Sequence, residues 1–486
     1  MSDYHFERLT PVDFSFLVQE TRERHMSVIG VTVFRAGPLA RPGGGIDFET
    51  IRKHTESLLD QVPRYRQKLM WRTRRRRTGL LGAKTVELPD ETLPPVWVDD
   101  PHFDIGYHMR HTALPRPGGD AQLKALAGRI ASQPLDRARP LWETWVVEGL
   151  SGGRFATISK LHHCMIDGTS GADITQLMLS PDPEPRRRRA KPYVPRRAPT
   201  PRELEHEMRR EQRAAPLRLA RGLREFAGEG DLRGEIARRV RGIGENFSES
   251  GLQRSPSPVT GANGPHRAVD WMRAPVALMR AIGKSLGCSI NDAVLTVVTS
   301  AFRDYFLQQG ADPGAEPFRA LVPVSIWTGR RKGEVGNQIM NWMIDLPLGE
   351  PDPKKQLAAI REVTERLKRS DKAIGVKTLE SFLRYTPGLL SLAVRNASGP
   401  SNTMITNIPG PQLALYQLGA EMLENVPVVP LLEEMGLGLG VMSYNGTMFW
   451  GVTVDTDVVP DPAPFVAALQ KALKAVARSA RVPMGR

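Results

Sequence analysis

Between Pro181 and Pro201 the chain places seven prolines in 21 residues. Each fixes its own φ and removes a backbone donor, so neither a regular helix nor a central strand can run through this stretch. The 486-residue chain is therefore read as two folded parts joined by an extended, solvated connection. Beyond Pro201 the pattern changes, and Leu204, Met208, Leu217, Leu219, Leu223, Phe226, Ile236, Val240 and Ile243 stand among Arg and Glu. Those spacings predict one or two amphipathic helices with basic polar faces. Ser255-Pro256-Ser257-Pro258 and Gly261-Ala262-Asn263-Gly264-Pro265 close the segment with irregular chain. The expected divisions are 1–180, 181–261 and 262–486.

Both flanks mix Val- and Ile-rich runs with helix-period segments. Before the connection, strands are expected at 27–34, 97–98, 145–147 and 154–161, with helices at 47–61 and 120–132. After it, strands are expected at 318–325, 338–346, 401–406, 438–444 and 447–454, with helices at 276–283, 289–309, 352–369 and 463–477. Ser289 followed three residues later by Asp292 has the form of a helix N-cap. Strands and helices alternate in both parts, which implies two α/β or α+β domains rather than a bundle or a sandwich.

With 40% hydrophobic and 25% charged residues the composition is that of a globular protein able to bury a large core. A membrane-spanning helix needs about 18 consecutive apolar residues, and runs such as Val426 to Leu432 are short and interrupted by Pro427 and Pro430. The first residues lack the basic-then-apolar order of a signal peptide, so a cytoplasmic location is expected. Cys164 and Cys288 are the only cysteines, too few for a disulfide scaffold or a metal cluster. The net charge of +14 predicts attraction to phosphate groups, and residues 183–225 hold 14 basic against 6 acidic residues. That segment has few aromatics for stacking bases and no recognisable recognition helix or finger, so no nucleic-acid partner is expected.

The densest chemistry is His162-His163-Cys164-Met165-Ile166-Asp167-Gly168, directly after the apolar run Phe155 to Leu161. A histidine pair at a strand-to-helix turn places an imidazole on a rigid edge, where it can act as a base. A pair of hydrogen-bonded structural histidines is the plainer reading. A metal held by His163 and Asp167 needs further ligands that the neighbouring sequence does not offer. Cys164 beside a histidine admits a thiolate nucleophile, or simply a small apolar filler.

His162-His163-x-x-x-Asp167-Gly168 resembles the HHxxxDG signature of the CoA-dependent acyltransferase superfamily. Pro140-Leu141-Trp142-Glu143, Ser289-Ile290-Asn291-Asp292-Ala293-Val294-Leu295, Val322-Pro323-Val324-Ser325, Gly336-Asn337-Gln338 and Asn407-Ile408-Pro409-Gly410-Pro411 follow in an order that resembles the bacterial bifunctional wax ester synthase/diacylglycerol acyltransferase family. Leu9 to Phe16, Ser443-Tyr444-Asn445-Gly446 and Pro460-Asp461 extend the likeness over almost the whole chain. Cys164 departs from the small residue usual in the family, and the Arg-rich 181–260 segment is longer and more basic than its pattern.

The resemblance implies two chloramphenicol-acetyltransferase-like domains with an active-site channel between them. There an acyl-CoA co-substrate would meet diacylglycerol or a long-chain alcohol, without a covalent enzyme intermediate and with no bound cofactor or metal. It further implies His163 as the general base, with His162, Asp167 and Gly168 supporting the motif and Asp167 turned toward an unnamed arginine. Asn291 is expected either to donate to the oxyanion, because an amide at a helix start sits where negative charge is favoured, or to be an ordinary helix-start residue. Pro140, Leu141 and Trp142 are expected to pack in the core, and Asn407 to Pro411 to form a rigid turn. The basic segment has three expected uses: drawing a peripheral enzyme to an anionic membrane or lipid droplet, holding CoA phosphates as Arg74 to Arg77 could, or serving as a charged linker. A lipid-binding or lipid-droplet surface protein with weak catalysis is the alternative from another class, and a different small or carrier-bound acceptor is the alternative within this one.

Overall fold

Ile29, Val31 and Val33 are buried along Ser27–Arg35, and this alternating run forms an inner strand of a six-stranded sheet. The computed structural model describes residues 3–78, 84–91, 93–165, 177–184, 188–210, 213, 254–325, 339–369 and 401–483. Its strands in chain order are β1 (Glu7–Arg8), β2 (Ser27–Arg35), β3 (Gln67–Met70), β4 (Thr73–Thr78), β5 (Lys84–Pro89), β6 (Val96–Asp99), β7 (Met109–Ala113), β8 (Trp142–Leu150), β9 (Arg154–His162), β10 (Arg267–Pro275), β11 (Phe318–Ser325), β12 (Ile339–Leu346), β13 (Thr403–Ile408), β14 (Tyr416–Gln417), β15 (Ala420–Val428), β16 (Leu437–Tyr444) and β17 (Thr447–Asp455).

Two six-stranded sheets dominate, with orders β14-β15-β2-β9-β8-β7 and β10-β17-β16-β13-β11-β12. Most pairings are antiparallel, but β7 runs parallel to β8, and β13 runs parallel to both β11 and β16. The fold is thus the mixed α/β arrangement that the alternation of elements predicts, built on two large sheets. Helices Ile290–Gln308, Val276–Leu286, Pro353–Arg369 and Ala463–Ser479 pack with the second sheet around a core that includes Phe302, Phe318 and Phe465. The N-cap at Ser289 is present, its hydroxyl accepting the Asp292 N–H at 3.1 Å.

The halves exchange material. After β13 the chain enters the first sheet as β14 and β15, pairs Val426 with Val31, and returns to the second sheet as β16. A side chain at Gly451 on β17 would collide with the Pro427 carbonyl on β15, so glycine is needed where the two sheets abut. Helix Asp120–Ala131 lies against β10, and a Cβ at Gly128 would sit 2.9 Å from the Arg267 carbonyl. A buried ion pair, Arg267 Nη1 to Asp455 Oδ2 at 2.7 Å, joins β10 to β17, and Arg267 Nη2 donates at 2.5 Å to the Glu23 carbonyl in the first half.

The described part of the connection, 181–184 and 188–200, is largely exposed and without helix or strand, and ion pairs tie it to the first half. Arg188 and Lys191 pair with Asp60, Arg196 grips Asp99 with Nε and Nη2, and Arg197 pairs with Glu203. Residues 201–210 are helical and bury Leu204 against Val96 and Val98. The apolar positions from Leu217 to Ile243 lie outside the described residues. Fixed carboxylates on the first half hold the chain where proline forbids secondary structure.

Candidate active site

β9 lies between β2 and β8, and its last residue is His162. The His162 N–H donates to the Leu141 carbonyl at 3.0 Å and the His163 N–H to the Met26 carbonyl at 2.7 Å, after which His163–Met165 turns away as a short 3-10 segment. Two residues earlier the buried Lys160 ammonium donates to the Ile130 and Gln133 carbonyls, fixing β9 to the end of helix Asp120–Ala131. Trp142 is buried on β8, its indole N–H donating to the Tyr65 carbonyl at 2.8 Å while the His108 ring stacks on it at 4.6 Å. Pro140-Leu141-Trp142 therefore braces the histidine strand from behind.

The two histidines have different surroundings. His162 is fully buried, its Nδ1 accepts the Cys164 N–H at 3.2 Å, and its Nε2 lies 3.4 Å from Glu20 Oε2. His163 is half-buried, and the Phe16 ring stacks on it at 3.8 Å and 21°. Its Nδ1 has no hydrogen-bond partner among the described residues. Burial lowers the His163 pKa to about 4, with the neighbouring His162 acting in the same direction, so the ring is neutral near pH 7. A neutral imidazole at the edge of a strand can accept a proton from a hydroxyl.

Phe16 belongs to helix Pro11–Gln19, which starts at a Thr10/Asp13 capping box with proline at its first position. Glu20 ends it. Its Oε2 receives Arg137 Nε at 3.0 Å and Nη2 at 2.8 Å, and its Oε1 receives the Met26 N–H at 3.2 Å. Burial pushes the Glu20 carboxyl up, but His162 and Arg137 outweigh it and hold the group at about 2. None of these contacts follows from the motif. The Thr10-Pro11-x-Asp13 signature could have revealed the helix, and through it the one-turn spacing of Phe16 and Glu20.

The same corner meets the second sheet. Met26, whose carbonyl holds His163, packs in an apolar cluster with Leu321 of β11, Met404 of β13, Leu431 and Met435, and Phe16 lies against it. The histidine turn therefore stands at the seam between the sheets. Asn291 is half-buried at the start of helix Ile290–Gln308, and its Oδ1 lies 3.5 Å from Asn407 Nδ2 of β13. No hydrogen bond joins Asn291 to either histidine among the described residues. Asp167 and Gly168 lie outside those residues, as do Gly336, Asn337 and Gln338. Cys164 is buried, and burial pushes its thiol well above the ordinary value, which leaves it protonated and unsuited to nucleophilic attack near pH 7. Among the described residues no three His, Cys, Asp or Glu side chains gather as a metal site.

The fold of two mixed sheets is shared with solved acyltransferase and condensation proteins. The first condensation domain of the calcium-dependent antibiotic synthetase superposes with a TM-score of 0.57 at 14% identity, covering 100% of this chain and 98% of its own. The wax ester synthase/diacylglycerol acyltransferase from Marinobacter aquaeolei VT8 superposes with a TM-score of 0.66 at 22% identity, covering 98% and 100%. At these identities the likeness is one of fold. In sequence, residues 9–294 match the wax ester synthase/diacylglycerol acyltransferase catalytic domain and residues 335–477 the C-terminal domain of the same family. The chain belongs to this family and is an acyltransferase. A Mycobacterium tuberculosis protein named as a probable diacylglycerol O-acyltransferase, tgs1, is 28% identical over 476 residues, covering 96% of this chain and 94% of its own.

Proposed function

We propose that the enzyme transfers an acyl group from acyl-CoA to the hydroxyl of diacylglycerol or a long-chain alcohol, forming triacylglycerol or wax ester directly. The observation that carries the reading is the neutral His163 ring at the seam of the two sheets. His163 takes the acceptor proton as the hydroxyl oxygen attacks the thioester carbonyl carbon. The tetrahedral intermediate then collapses, the carbon–sulfur bond breaks, and the departing CoA thiolate receives that proton from the imidazolium. Asn291 is proposed to donate its amide N–H to the oxyanion. Asn407 near its carbonyl end supports that orientation, since the bond leaves Nδ2 free to donate.

Peripheral contact with an anionic membrane or lipid droplet is part of the proposal, because the acceptors are insoluble in water. No single described helix is long and apolar enough to cross a membrane. Arg188, Lys191, Arg196 and Arg197 are engaged in internal pairs, so attraction to an anionic surface falls to the remaining basic residues of 181–261.

The test is acyl transfer from palmitoyl-CoA to hexadecanol and to dipalmitoylglycerol, with thiol release and lipid product both followed. Loss of a general base is expected to lower turnover about 10²- to 10⁴-fold in His163→Ala. Loss of one oxyanion donor is expected to lower it about 10²- to 10³-fold in Asn291→Ala. Ester formation by wild type with a folded but inactive His163→Ala supports the reading. A wild type inactive with both acceptors, or a variant that matches it, overturns it and favours a lipid-binding role or another acceptor.

A further inference from the structure

We propose that Glu20 is a positioning residue that holds His163 in its working place through two arms, one on the His162 ring and one on the Met26 peptide. The inference rests on His163 as the reacting base. The first arm runs from Glu20 Oε2 across 3.4 Å to His162 Nε2. Because the Cys164 N–H occupies His162 Nδ1, the ring carries its hydrogen on Nε2, at ion-pair distance from the carboxylate but not aligned with it as a hydrogen bond. The second arm runs from Oε1 to the Met26 N–H at 3.2 Å, and the carbonyl of the same Met26 accepts the His163 N–H at 2.7 Å. Glu20 thus grips the backbone of one histidine and the ring of the other.

Its anchoring comes from outside the pair. Arg137 places two N–H groups on Oε2, and its Nη2 also reaches the Leu17 carbonyl at 3.2 Å, locking the end of the helix that carries Phe16. One turn separates Phe16 from Glu20, so the same helix covers the His163 ring and clamps the chain beneath it. The Glu20 side chain is only 6% exposed. Three donors bond it, two from Arg137 and one from Met26, and His162 Nε2 lies 3.4 Å away with no hydrogen-bond partner among the described residues. Only a carboxylate offers acceptors to all three and a negative charge to the His162 ring. A glutamine of the same shape would turn its NH₂ toward Arg137 and His162 or toward Met26, and either choice sets donor against donor.

Glu20→Gln and Glu20→Asp test this against wild type with palmitoyl-CoA, alongside thermal melting and ring-nitrogen NMR of histidine-labelled protein. In Glu20→Gln, kcat is expected to fall about 10- to 100-fold with KM within about twofold, because misplacing the base harms the chemical step while leaving binding intact. Glu20→Asp keeps the charge but pulls it back by one methylene, and its kcat is expected to lie between the two. In the spectra, the His162 Nε2 signal is expected to shift in Glu20→Gln as the facing carboxylate charge is removed, while the Nδ1 signal stays that of an acceptor. Wild-type kcat in folded Glu20→Gln, a loss confined to KM, or an activity loss that only follows the unfolded fraction would each overturn the proposal. Should Glu20→Gln fail to fold, wild-type kcat and ring signals in folded Glu20→Asp overturn it. Should wild type itself transfer nothing, the functional reading fails separately, and unchanged ring signals in the variants overturn the role of Glu20.

Discussion

Replacing Arg267 by methionine removes the pin that ties the second sheet to the chain segment beside the histidines. In the native protein its Nη1 reaches Asp455 Oδ2 and the Gly264 carbonyl at 2.7 Å each and the His266 carbonyl at 2.9 Å, while Nη2 reaches the Glu23 carbonyl. Both charged side chains are buried, at 5% and 0% exposure. Removing one partner of such a pair strands the other charge in a poor solvent and costs about 3–5 kcal/mol. Asp455 would keep the N–H groups of Gly264 at 3.0 Å and Asp457 at 3.1 Å, which places the loss near the lower end. Spread over a cooperative unit of 486 residues, a loss of about 3 kcal/mol lowers the melting midpoint by about 3 °C. The assay is a calorimetric melt at pH 7 of wild type, Arg267→Met, Asp455→Leu and the double variant. The double variant removes both charges together and is expected to recover more than half of the loss, because the penalty lies in the unpaired ion. A single variant melting within about 1 °C of wild type, or a double variant as unstable as the two losses added, would refute the reasoning.

Two further outcomes follow from the same corner of the fold. Burial holds His163 and His108 at about 4, below the ordinary histidine value of 6.5, so the unfolded chain binds more protons between those limits. Their contribution to stability is therefore complete above pH 6.5 and declines as the pH falls toward 4. Melting midpoints measured across that window are expected to drop, and to drop less steeply in His163→Ala; parallel slopes would count against a buried neutral His163. In Trp142→Phe the Tyr65 carbonyl loses its buried indole donor, a loss of about 1–3 kcal/mol, which urea unfolding would read as a lowered midpoint with unchanged slope.

The histidine strand was legible in the sequence because Phe155 to Leu161 forms an apolar run that ends on the paired histidines, and β9 follows it to His162. Helix Ile290–Gln308 was legible for a local reason too, since its cap is formed by residues three apart. Helix Pro11–Gln19 was not expected, although its capping residues are plain, because Phe14, Phe16, Leu17 and Val18 are apolar on successive sides and leave no clear 3.6-residue stripe. β10 was not among the expected strands, because Arg267, Asp270 and Arg273 interrupt its apolar alternation and their partners lie far along the chain. β15 carries Pro427 next to its last residue, normally an argument against a strand. There its one long partner is β2, so it is an edge strand over that stretch and tolerates the missing donor. Glu20 illustrates the general limit: its significance lies in Arg137, Met26 and His162, whose convergence is a property of tertiary structure.

The exchange of β15 also decides whether the two halves can exist apart. Residues 1–261 alone would carry β2, β9, β8 and β7 but lack β14 and β15, so β2 would present the unpaired edge that Val426 and its neighbours normally cover. Val31, Val33 and Phe34 on that strand are fully or almost fully buried, which makes the exposed edge a template for association with other chains. The fragment 262–486 would retain its own sheet yet carry β15 with its long-range partner removed. Expressed singly, the first fragment is expected to aggregate; expressed together, the two are expected to copurify as one complex with cooperative melting. A monomeric, cooperatively melting 1–261 fragment would show that the first sheet closes without the returning strand. In that case the seam beside His163 would form by docking of two finished domains, and interface substitutions would alter their affinity for each other. If instead neither fragment folds alone, the seam is built during folding itself, and the histidine turn acquires its surroundings only when the last third of the chain has entered the first sheet.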